Sequence, residues 1–194
     1  MDIDLLQKFL VPLVSAIAGG LISYKLSRIK EKKEEAIKRL ESLYEIQNIN
    51  YKMLGSFSDL EQSLNTYVLS TEIVEPHSQL IVTNKIKECS DALAEFYVLT
   101  LANAVYLNKG VFNRAKKTHE DIRFLFVNVM KYNYTKTNGK LKVYTQTNLD
   151  FLRQATEKIA MFQDTLAEKI EPKLVKHYME KYNKSYNFNV KKTD

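Results

Sequence analysis

Three histidines, five arginines and one cysteine are the side chains in this sequence with the most chemical reach. His77, His119 and His177 lie far apart, and no His-x3-His or Glu-x-x-His pair sets two ligands on one helix face. A lone thiol, Cys89, cannot complete a zinc site, so no metal and no cofactor are expected. There is no glycine-rich phosphate loop, because Gly19-Gly20 sits in an apolar run and Gly139 follows Asn138 in a turn-like dipeptide. No Ser or Cys stands in a nucleophile context. One spacing has chemical content, Arg114-Ala115-Lys116-Lys117-Thr118-His119. On a helix it would carry a guanidinium able to hold a phosphate and an imidazole able to move a proton.

Arg followed by four residues and His resembles the motif of HEPN-type ribonucleases. The resemblance implies a helical bundle in which Arg and His from two subunits meet at a dimer interface and cleave RNA without a metal. It covers six residues, and where that motif usually has a polar residue after the Arg, this chain has Ala115. Five Arg and three His produce such a spacing by composition alone roughly a quarter of the time. The expectation is therefore a protein that is not an enzyme, with a ribonuclease using Arg114 and His119 as the alternative.

The elements that would position these residues are helices. Three Pro and five Gly in 194 residues leave few breaks, and the length suits one domain with a core. Ile29, Ala36, Ile37, Leu40, Leu43, Tyr44, Leu54, Phe57, Leu60, Leu64 and Tyr67 recur at threes and fours, predicting one amphipathic rod with a bend at Gly55-Ser56. A loop is expected over 71–78 around Pro76, then a second helix over 78–108 with Val82, Ile86, Cys89, Leu93, Phe96, Thr100, Ala104 and Leu107 in heptad-like register. Cys89 falls in that stripe as a buried, inert thiol. Asn108-Lys109-Gly110 reads as the stop of that helix, and a third follows over 111–131. Alternation on both sides of Asn138-Gly139 predicts a small β-hairpin over 132–145. A last helix starts near Asn148 and should kink or end at Pro172. The fold class is thus all-α, an antiparallel bundle of about four helices with one small hairpin.

The amino-terminal segment points to a location. Phe9 to Tyr24 is free of charge, and Lys25, Arg28, Lys30, Lys32 and Lys33 follow at once. With Leu5 and Leu6 added, and Lys8 and Lys25 bending toward headgroups, residues 5–24 read as a single transmembrane helix. Basic residues cluster after the span, which orients Met1 outside and the body in the cytoplasm of a bacterial cell at its plasma membrane. A cleaved signal ending at Ala16-Ile17-Ala18 is the competing reading, opposed by Asp2 and Asp4 in its leading region. Ser15, Gly19 and Ser23 recur every four residues, a spacing that lets two such helices approach closely.

The resulting organisation is a tail at 1–4, the span at 5–24, a charged helical stalk at 25–39, the bundle at 40–184 and a basic tail at 185–194. Net charge is +6, and Lys outnumbers Arg 24 to 5, as in AT-rich bacterial or mobile-element genomes. Tyr178, Tyr182 and Tyr186 lie four apart among lysines, which favours helix packing over nucleic-acid binding. The partners expected are the lipid bilayer and a protein, either foreign or a second copy. The function expected is a non-catalytic adaptor or tether, of the kind a mobile element or phage-exclusion system could use; a nucleic-acid tether through the basic aromatic C-terminal segment is the other alternative.

Overall fold

Apolar residues repeat at threes and fours along four stretches of chain, and each stretch is helix. The computed structural model describes residues 3–66, 76–131 and 146–182, with side chains for 17–66, 77–130 and 146–182. Helix α1 is Ile3–Leu64. Helix α2 (Pro76–Glu95) passes through a π-helical turn, Phe96–Thr100, into α3 (Leu101–Leu107). After α4 (Lys109–Lys131), α5 (Gln146–Asp164) passes through a second π-helical turn, Thr165–Ile170, into α6 (Glu171–Tyr182). Apart from the extended Asn108, the described residues are helical, so the fold class is all-α. The hairpin expected over 132–145 and the tail expected from 185 lie outside the described residues.

The chain divides into two compact units, residues 1–38 with 176–194, and residues 39–175. The second is a four-helix antiparallel bundle, and pairs of side chains fix its directions. Between α1 and α2, Lys85 meets Asp59 at 3.1 Å and Lys52 pairs with Glu95, so one helix climbs as the other descends. Between α1 and α5, Glu61 meets Arg153 at 2.7 Å and Asn50 meets Gln163 at 3.0 Å, again in opposite order. Asn148 donates to the Val129 carbonyl, and Arg114 donates to Thr165, which sets α4 against α5 and its π turn.

The core is the sum of four stripes. Leu43, Ile46, Asn50, Met53, Phe57, Leu60 and Leu64 alternate steps of three and four along α1, and all seven are buried. All eight residues expected for the second helix, from Val82 to Leu107, are buried as well. Ile122, Phe126 and Val129 of α4, with Leu149, Leu152, Ile159, Phe162 and Leu166 after it, complete the cluster. At its centre the rings of Phe57 and Phe126 lie 5.4 Å apart.

Three local expectations are corrected. Pro76 and His77 belong to α2 instead of the preceding loop, because proline at a first helical position gives up an N–H that would have had no partner. Gly110 does not close the second helix. Asn108, extended at φ −177° and ψ 167°, separates α3 from α4 by one residue and caps α4, its Oδ1 accepting the Val111 N–H at 2.9 Å. Pro172 does not end the last helix either; its ring would collide with the carbonyl four residues back, and the widened turn before it, closed by the Glu171 N–H on the Leu166 carbonyl, makes room. Helix α1 is continuous through Gly55 and Ser56.

In the first unit, Ile17, Leu21, Ile22, Tyr24, Leu26 and Ile29 of α1 are all more than half exposed. The transmembrane helix expected over 5–24 finds no support: among the described residues no helix is long and apolar enough to cross a membrane. The side chains of residues 5–16 lie outside the described ones, and the remaining eight positions, 17–24, amount to about 12 Å of helix against a hydrocarbon core of about 30 Å.

Neighbouring positions on α1 should respond in opposite directions to alanine. Gly55 is exposed with nothing within 4 Å of where a Cβ would stand, so Gly55→Ala should stabilise the bundle by about 0.5–1 kcal/mol. Phe57 is fully buried, and Phe57→Ala should cost about 3–5 kcal/mol. Urea unfolding followed by circular dichroism measures both; a Gly55→Ala protein less stable than the parent would show that the glycine is needed where it stands.

Candidate functional site

The two π-helical turns lie at one level of the bundle, since Phe96 opens the first, Phe162 lies three residues before the second, and their rings meet edge-on at 6.0 Å. A π turn places one extra residue in a helical turn and re-aims the side chains beyond it, which is why such turns recur at functional sites. The first half of α4 runs between them and carries both Arg114 and His119. Five residues on a helix rotate the side chain by about 140° beyond a full turn, so the two point to different sides.

Arg114 faces the second π turn. Its Nη1 donates to Thr165 Oγ1 at 3.0 Å, while that hydroxyl donates to the Met161 carbonyl at 3.0 Å. Together they border a cavity of about 290 Å3 whose wall also includes Phe162, Ile170, Lys169 and Lys173. His119 faces the first π turn. It is 8% exposed, its ring stacks on Phe96 at 6.3 Å and 12°, and Tyr97 tilts over it at 4.5 Å. Burial lowers its pKa below the ordinary value, Arg123 lowers it further, and Glu120 opposes the shift. A separate groove of about 520 Å3 passes over it, lined by Leu93, Val98, Phe126 and Met130 among others.

Within one chain, then, the two residues of the Arg-x4-His spacing belong to separate cavities. Ala115, the departure from the HEPN motif, is fully buried between them as a core residue. His77 and His177 are exposed, and among the described residues no three His, Cys, Asp or Glu side chains gather as metal ligands could. Cys89 is buried, donates to the Ser56 carbonyl at 3.2 Å, and has its thiol pushed up to about 12 by burial first and by Glu88 next. Lys25, Arg28, Lys30, Lys32 and Lys33 are all exposed on α1, where Lys30 lies 3.9 Å from Glu34. Gly19 and Ser23 are exposed too, and the side chain of Ser15 lies outside the described residues. Tyr178 and Tyr182 are half-buried with rings 6.1 Å apart; Tyr186 lies outside the described residues.

Sequence reasoning missed Lys169 and Lys173 as partners of Arg114. They are more than fifty residues away along the chain, and only the antiparallel pairing of α4 with the last helix joins them. Compared with protein-family models, curated proteins and solved structures, the chain matches none.

The lowered pKa of His119 carries a signed consequence. Its folded value lies below the unfolded 6.5, so as pH falls the unfolded chain takes up the proton first. Stability is complete above about 6.5 and declines as the pH drops below it. His119→Gln should flatten that decline, measured as urea midpoints between about pH 7.5 and pH 5. An unchanged slope in the variant would show that other groups cause it.

Proposed function

We propose that this chain is a single-span membrane-anchored protein whose helical bundle is a non-catalytic interaction module on the cytoplasmic side. The carrying observation is the exposure of Ile17, Leu21, Ile22, Tyr24, Leu26 and Ile29 on α1. An apolar helix surface of this kind is covered by lipid, by a partner or by a copy of itself. The charge favours lipid: sixteen uncharged residues from Phe9 to Tyr24 are followed by Lys25, Arg28, Lys30, Lys32 and Lys33, all exposed, which suit anionic headgroups. That run is about 24 Å of helix, and Leu5 and Leu6 with the reach of Lys8 and Lys25 supply the remaining depth.

Interaction in place of catalysis is favoured by the apolar surface of the bundle. Val98, Val105 and Phe124 are each more than 60% exposed, a surface that suits protein contact. The occupant of the bundle would be a protein partner or a second copy of the chain.

Expression of the full chain in bacteria, followed by alkaline washing of membranes, tests the anchor. The protein should remain in the washed pellet with Met1 intact, and Ile17→Lys with Leu21→Lys should release it. A soluble parent chain, or a mature form beginning after Ala18, overturns the proposal. Added protease should reach the bundle only from the cytoplasmic side.

A further inference from the structure

We propose that the cavity between the start of α4 and the second π-helical turn binds a phosphate monoester carrying a short apolar group. The inference rests on the bundle alone and holds whether or not α1 enters a membrane. Arg114 of α4, Lys169 of the second π-helical turn and Lys173 of α6 enter its wall, and among the described residues no carboxylate does. Among the described residues none of the three has an acidic partner, although the surface elsewhere pairs Lys85 with Asp59 and Glu88, and Arg153 with Glu61. Three cations around one small cavity repel one another, and a bound dianion turns that repulsion into attraction.

The geometry is prepared for such a ligand. Thr165 spends its proton on the Met161 carbonyl and offers a lone pair to Arg114, which holds the guanidinium at the cavity with further N–H groups to give. A guanidinium presents its donors as a fork that matches phosphate oxygens. Lys169 in the π turn and Lys173 at the start of α6 both line the cavity, where two ammonium groups can reach one anion. Phe162 and Ile170 supply an apolar wall beside the cations, which suits a hydrocarbon group attached to the phosphate. At Gly110, also in the wall, a Cβ would crowd Asn108 Oδ1 at 3.0 Å, the oxygen that caps α4. A volume of about 290 Å3 admits only a small ester. His119 is not in this wall, so the site binds without a base to cleave.

Calorimetric titration of the full chain in detergent with hexyl phosphate tests the site. Saturable binding with a Kd below about 1 mM is expected, weaker for inorganic phosphate. Arg114→Gln and the double change Lys169→Gln with Lys173→Gln should each weaken it at least about tenfold while helicity is retained. Lys116→Gln, a change on the neighbouring exposed surface, should leave it unaltered. If Arg114→Gln fails to fold, the lysine pair decides. Melting of the protein in phosphatidylcholine vesicles with and without phosphatidic acid separates the sources. An Arg114-dependent rise with phosphatidic acid identifies a lipid headgroup, and a rise with hexyl phosphate alone identifies a soluble ester. No saturation by about 10 mM, or equal affinity in both variants, overturns the proposal.

Discussion

One buried polar contact sits inside the apolar seam around which the bundle closes. Along α1 the steps of three and four from Leu43 to Leu64 are unbroken, and Asn50 is the polar member, fully buried, its Nδ2 donating to Gln163 Oε1 at 3.0 Å. Leucine there would pack against many neighbours in many registers; an amide tolerates only the register that supplies its partner. Asn50 Oδ1 has no hydrogen-bond partner among the described residues even in this register, so sliding α5 by one turn would strip the remaining bond and cost about 1–3 kcal/mol for each group left unpaired. With α1 and α5 held in register, Arg153 meets Glu61, and α4 is confined to the slot that Phe57 and Phe126 fill.

That register explains why the π-helical turns fall where they do. A stripe of threes and fours tracks a straight neighbour only approximately, and an extra residue in one turn resets it. In the second helix the reset begins at Phe96, and in the last it precedes Pro172, so one device both re-phases the stripe and accommodates the ring. Thr100 records the cost: fully buried at the end of its turn, its hydroxyl has no hydrogen-bond partner among the described residues.

The helical part of this architecture was legible because burial has a period. Val82 through Leu107 could be read residue by residue, since a helix face shows itself in spacing alone. Boundaries were harder. Pro76, Asn108 and Pro172 are ambiguous in isolation: proline opens a helix as readily as it ends one, and Asn108 followed by Gly110 serves equally as a stop or as a cap. The Arg114 cavity could not be read at all, because proximity of Lys169 and Lys173 to Arg114 is a property of how two helices pair and leaves no local pattern. The ring stack of His119 on Phe96 was not legible either, because it depends on the re-phasing that the π turn introduces.

The single extended residue Asn108 between α3 and α4 bears on how the chain reaches this state. Joining two helices through one residue reduces the loop-closure entropy of bringing them together almost to nothing, whereas the contact of α1 with α5 closes a loop of more than a hundred residues. Contacts across the Asn108 corner are therefore the least demanding tertiary contacts to make first. The register-setting amide pair is among the most demanding, and the chain must solve its local geometry before its global alignment is fixed.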